Sequence, residues 1–150
     1  KEELFSAAML SVFVDFGHEA FASLAACETA EEKLRAVGSA MGDFVVGLEG
    51  IFIMFLGYWA SHPSREEVGL WWTDLLVEYK DQLVAIVQEG IDNGEFKAVD
   101  AEALVWVVMA AYDGLAAYCM LLPNVDPHRA SRVFVETLLG GLLLDGWESD

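Results

Sequence analysis

Positive charge is scarce in this sequence. Eight Lys and Arg stand against 25 Asp and Glu, a formal net charge of −17. A surface with that excess repels phosphate backbones and anionic lipid headgroups. It excludes direct binding of DNA, RNA or a membrane surface by the chain itself, and keeps a polypeptide that is 55% hydrophobic in solution. Cysteine is nearly absent. Cys27 and Cys119 form no CxxC pair and no zinc spacing. Each sits in an apolar run, where a free thiol behaves as a small hydrophobe, so both are expected reduced, in or near the core, in a cytoplasmic protein. No basic-then-apolar leader opens the chain, which argues against a signal peptide. The first residue is Lys1, and the sequence reads as a piece of something longer. Of two long apolar runs, 50–60 is too short to span a bilayer. The run 103–122 has the length but carries Asp113 in its middle, a costly group in hydrocarbon. A buried core or interface helix is the expected use.

The chemical vocabulary is equally sparse. His18, His62 and His128 are far apart, and no Glu-x-x-His is present, so a di-iron bundle lacks its ligand set. Asp15 and His18 can share one helical face, but a metal site needs several convergent ligands. There is no Gly-x-Ser-x-Gly elbow, no P-loop and no GxGxxG. No catalytic constellation, metal or cofactor is expected.

Helix signals, in contrast, recur from end to end, while strand-type alternation is missing. A greasy stripe of Phe5, Met9, Val12, Phe13 and Phe16 predicts a first helix over about 2–26, with Gly17 and His18 as a weak point. Thr29-Ala-Glu-Glu32 is a capping box that opens a second. Its stripe is Leu34, Val37, Met41, Phe44 and Val45, with Gly38, Gly42 and Gly47 allowing a bend or a close helix contact. The run 50–61, apolar nearly all round, predicts a buried third helix ending before His62-Pro63. Ser64-Arg-Glu-Glu67 is a second capping box. The fourth helix runs from it to about Asp92, with Trp72, Leu75, Leu76, Tyr79, Leu83, Ile86 and Val87 inward and Asp92-Asn93-Gly94 as a left-handed stop. Asp100 caps a fifth helix that ends at Pro123. Asp126-Pro127 starts a sixth, which carries Val133, Phe134, Leu138, Leu142 and Leu143 and stops near Asp145-Gly146. With 150 residues and no repeats or linkers, one domain follows, an all-α six-helix bundle.

Two features stand out against that frame. The aromatic load is heavy, with five Trp, nine Phe and four Tyr. Phe13, Phe44, Phe55, Trp59, Trp72, Tyr79, Trp106 and Tyr112 can converge, and large flat rings among glycines and alanines leave gaps of the kind that hold apolar ligands. The last two helices, meanwhile, mix small residues with leucines: Ala110, Gly114 and Ala117 with Leu121 on one, Phe134 and Leu138 with Gly141 and Leu142 on the other. Such faces permit close approach, and an isologous two-fold contact is their commonest use.

The sequence resembles the C-terminal part of a TetR-family transcriptional regulator. Lys1-Glu2-Glu3-Leu4-Phe5 is similar to the run that follows that family's helix-turn-helix. Val87-Gln-Glu-Gly90-Ile91-Asp-Asn-Gly94-Glu95-Phe96, followed by Val99-Asp100-Ala-Glu102, resembles its turn between two long helices, and Ala111-Tyr112-Asp113-Gly114-Leu115 its following "D-G-L" run. The resemblance covers essentially the whole chain and six helices. It implies an effector-sensing and dimerising domain of a repressor, with the last two helices of each copy forming a four-helix bundle. DNA would be bound only through an N-terminal domain missing from this sequence. The expected effector pocket takes Phe13 from the first helix, Phe52, Phe55 and Trp59 from the third, Trp72, Leu76 and Tyr79 from the fourth, and Trp106, Met109 and Asp113 from the fifth. With one carboxylate and no Lys or Arg on those inner faces, a small apolar or aromatic, neutral or cationic ligand is expected. Two rivals remain: a stand-alone helical binding or scaffold protein without a DNA link, and a helical enzyme using Asp15, His18 or Asp113.

Overall fold

The computed structural model describes residues 2–47, 57 and 65–144, with the side chains of 2–6, 9 and 65–72 left aside. Five α-helices lie among the described residues: α1 Glu2–Ala22, α2 Ala30–Gly47, α3 Arg65–Asp92, α4 Ala101–Leu121 and α5 Pro127–Leu142. The helix expected over 50–61 and the capping box at Ser64 fall outside them.

The predicted start signals act as expected. Thr29 Oγ1 accepts from the Glu32 N–H at 3.1 Å, and the Glu32 carboxylate reaches back to the N–H groups of Thr29 at 3.3 Å and Glu28 at 2.7 Å. Asp100 accepts from the Ala103 N–H at 2.9 Å, and Asp126 from that of Arg129 at 3.0 Å, ahead of Pro127. Each cap satisfies an amide that the helix itself leaves without a partner, worth about 1 kcal/mol. The stop after α3 is Gly94 at φ 76°, a backbone that side chains disfavour.

Two boundaries and one face differ from expectation. α1 gives way to a 3-10 turn over Ser23–Ala26 instead of running on to 26. α5 ends at Leu142, short of Asp145, because the chain then pairs with the segment after α3. Phe96 and Leu143 form an antiparallel bridge, with the Lys97 N–H on the Leu142 carbonyl at 2.7 Å and the Leu144 N–H on that of Glu95 at 3.1 Å. The inner row of α5 is Ser131, Val135, Leu139 and Leu142. Val133, expected on the apolar stripe, is 57% exposed. The leucine-rich end of α5 offers two candidate stripes one step apart, and packing against α2 selects one of them.

α2 is the centre of the bundle, touching α1, α3, α4 and α5. Its closest partner is α5, and the approach depends on Gly38 and Gly42: a Cβ on Gly38 would overlap Val135, and one on Gly42 would press on His128. The aliphatic core lies where the start of α2, the end of α3, the start of α4 and the end of α5 meet. Ala30, Leu34, Val87, Phe96, Val105 and Leu139 are all nearly solvent-free. Burying a side chain of that size contributes roughly 1.5–3 kcal/mol. The few cations join helices across the surface: Lys33 to Glu89 (α2 to α3, 2.6 Å), Arg35 to Glu136 (α2 to α5, 2.5 Å) and Lys80 to Glu102 (α3 to α4, 3.0 Å). Buried Glu95 accepts from the Glu31 N–H at 3.2 Å, placing its carboxylate at the amino end of α2, where the helix dipole favours negative charge.

Candidate ligand cavity and dimer face

Beyond Val37 the interior changes from aliphatic to aromatic. α1 turns Phe13, Phe16 and Ala20 inward, one helical turn apart. Phe44 of α2 stacks on Phe16 with centroids 3.8 Å apart and meets Phe13 edge-on at 5.5 Å. Tyr79 of α3 crosses to α1, where its hydroxyl donates to the Phe13 carbonyl. It passes over Gly17, where any side chain would collide with the ring. Burial, with the charge of Glu78 adding, pushes the Tyr79 phenol up to about 12.

These rings surround a cavity of about 90 Å³. α2 supplies Val37, Met41 and Phe44 to its wall, and α3 supplies Leu75, Leu76, Tyr79 and Leu83. α4 closes it with Val108, Met109, Tyr112 and Asp113. Among the described residues, Asp113 carries the one ionisable carboxyl of the lining. The residue as a whole is exposed, so water reaches one side of it; the crowding on the other side desolvates the carboxyl and raises its pKa.

Five expected pocket residues therefore do converge: Phe13, Leu76, Tyr79, Met109 and Asp113. Trp106 does not. It is 44% exposed and outside the lining. The inward positions of α4 are Val105, Tyr112 and Ala116, and Trp106, one residue past Val105, is rotated about 100° away. Phe52, Phe55 and Trp59 lie outside the described residues, as does the side chain of Trp72. The pocket set expected from sequence omitted Phe16, Phe21 and Met41, and left out Phe44 and Tyr112 although both stood among the rings expected to converge. Their signal was present in the i, i+3, i+4 steps Phe13–Phe16–Ala20 and Met41–Phe44, which mark one face rather than separate residues.

A second concavity opens on the other side of α4. Ala110, Ala111, Gly114, Leu115 and Tyr118 face Ala130 and Phe134 of α5 across an apolar groove of about 370 Å³. Val107, Tyr118 and Leu121 follow the same exposed side of α4, with Leu121 74% exposed. By length and hydropathy α4 also passes as a membrane span, and little of it is buried within the chain. Of the expected dimer residues, Ala110, Gly114 and Phe134 line the groove, Leu121 and Gly141 are exposed, and Ala117 is half-buried. Leu138 leans partly on the core. Leu142 is a correction: at 4% exposure it belongs to the chain's own core, drawn in by the pairing of 142–144 with 95–97, and has no surface left for a partner.

Cys27 and Cys119 are both free and half-buried. His18 is exposed, and the neighbouring Asp15 carboxylate accepts from the Ser11 hydroxyl at 3.2 Å. Among the described residues no three His, Cys, Asp or Glu side chains gather as a metal site.

The same arrangement of helices is found in solved structures. A TetR transcription regulator from Haloarcula marismortui ATCC 43049 superposes with a TM-score of 0.74 at 19% identity, over 96% of this chain and 79% of that one. A protein of unknown function from Rhodococcus sp. RHA1 superposes with a TM-score of 0.75, also at 19% identity, over 96% of this chain and 74% of that one. No protein-family model and no curated protein sequence matches the chain.

Proposed function

We propose that this chain is the effector-sensing and dimerising domain of a TetR-like transcription regulator, acting as a cytoplasmic repressor. The observation that carries the proposal is the ring-lined cavity enclosed by α1, α2, α3 and α4, with Asp113 as the one ionisable carboxyl among the described lining residues. Rings supply apolar area and a negative face to a ligand cation. The carboxylate at the rim supplies orientation, and among the described residues no Lys or Arg lines the wall to neutralise an anion. The ligand class is therefore a small aromatic or apolar molecule, neutral or cationic. A second copy of the chain covers the apolar groove and the exposed side of α4, so that α4 and α5 of two copies make a four-helix bundle. DNA is contacted by a helix-turn-helix head outside this sequence, since a net charge of −17 disfavours phosphate. Effector binding acts by shifting the population between two arrangements of the dimer, to the extent that the ligand prefers one of them.

Calorimetry with benzylammonium, benzyl alcohol and benzoate tests the cavity. The cation and the alcohol are expected to bind and benzoate is not, and Asp113→Asn removes the advantage of the cation over the alcohol. Preferential binding of benzoate would overturn the ligand class. Light scattering coupled to size exclusion at micromolar concentration tests the partner: a mass near 16.5 kDa, that of one chain, refutes the dimer.

A further inference from the structure

The cavity and the α4/α5 groove are separate concavities whose linings, among the described residues, have one residue in common, Tyr112. Its ring walls the cavity on one side. On the other it meets Phe134 of α5 edge-on, with centroids 5.6 Å apart and planes at 88°. Its hydroxyl is 2.7 Å from that of Ser131, which in turn donates to the Gly38 carbonyl of α2 at 2.6 Å. Tyr112 and Ser131 are both buried. One phenol thus joins the ligand wall, the inner row of α5 and the glycine saddle on which α5 sits.

We infer that Tyr112 is the coupling residue between the cavity and the α4/α5 face, with Ser131 and the Gly38 carbonyl as its relay. The inference rests on the sensing function proposed above and specifies how sensing is transmitted. The size of the cavity forces the issue. About 90 Å³ is well below the roughly 300–1,000 Å³ of ordinary ligand pockets, so a ligand larger than a small ring must displace a wall. Close-packed interiors respond to such displacement by switching between discrete packings. When the displaced wall is Tyr112, the phenol cannot move without breaking a buried hydrogen bond and shifting Phe134, which lines the face a second copy covers.

The relay can be tested without any ligand. Leu76→Phe crowds the cavity from α3, and Met41→Phe does so from α2 should the first variant fail to fold. Either is expected to speed amide exchange across residues 131–139 by about tenfold, a typical size for coupling between sites. Ser131→Ala, which cuts the relay outside the cavity, accelerates the same amides. The double variant is no faster than the faster single one, because both act through the same bond. Strictly multiplicative effects, or no effect of crowding in a folded variant, overturn the relay. With benzylammonium as probe, the dimer dissociation constant of the unaltered protein should change by about tenfold, and that of Ser131→Ala by less than twofold, at nearly unchanged probe affinity. Binding without any change in dimerisation overturns the coupling and leaves sensing intact. Failure of the probe to bind removes the sensing function, and the exchange experiment still decides the relay.

Discussion

The two ends of the bundle are built from different residues to different densities. At one end, Ala30, Leu34, Val87, Val105 and Leu139 interlock around Phe96, with exposures from 0 to 9%. Backbone pairing of 95–97 with 142–144 and the Glu95 carboxylate at the start of α2 tie that end across the sequence. At the other end, Phe13, Phe16, Phe44 and Tyr79 meet as stacked and edge-on rings around an open space. Branched aliphatic side chains fill gaps in small increments. Flat rings held at fixed angles cannot, and a volume is left between them. One end therefore holds the fold together, while the other gives up packing for a cavity.

Four changes can break or sharpen that contrast. Leu139→Ala, at the centre of the aliphatic end and 1% exposed, is expected to cost about 3 kcal/mol in chemical denaturation, the middle of the range for buried leucines. Gly38→Ala forces a methyl group into Val135 and should cost about 2 kcal/mol by overpacking, with urea denaturation as the measurement. Leu76→Ala, at the aromatic end, removes a side chain that already faces empty space and lacks part of its contacts. About 1 kcal/mol is expected, and a cost equal to that of Leu139→Ala would erase the distinction between the two ends. The smallest effect is alkaline. The Tyr79 phenol is raised from 10.0 to about 12, so its neutral form is favoured by folding. That contribution is complete below pH 10 and is lost as pH rises toward 12. Denaturant midpoints measured across that window should fall more steeply for the unaltered protein than for Tyr79→Phe.

Much of this was legible in the chain. The caps at Thr29, Asp100 and Asp126 and the stop at Gly94 are local devices whose partners lie within four residues, and each appears where the spacing placed it. The inward stripe of α3 through Leu75, Leu83, Ile86 and Val87 was equally readable, because its period is unambiguous. The site was legible by half. Phe13, Leu76, Tyr79, Met109 and Asp113 were recognisable as inward or as an odd charge in an apolar run. Trp106 was misplaced because α4 is apolar on nearly every side, so periodicity could not say which row faced in.

By itself, then, the sequence determined the all-helical character, the capped starts, the stop after α3, the acidic surface and the surplus of rings, since all of these depend on neighbours a few residues apart or on composition. Tertiary structure alone decided that Leu142 turns into the core while Leu121 stays out, and that Trp106 stands outside the cavity wall. It also decided that Tyr112 stands between two concavities. Those outcomes depend on which of several equally apolar faces meets a helix far away in the chain. That choice is made by close packing at Gly38 and Gly42 and by the pairing of 95–97 with 142–144, whose partners are remote in sequence.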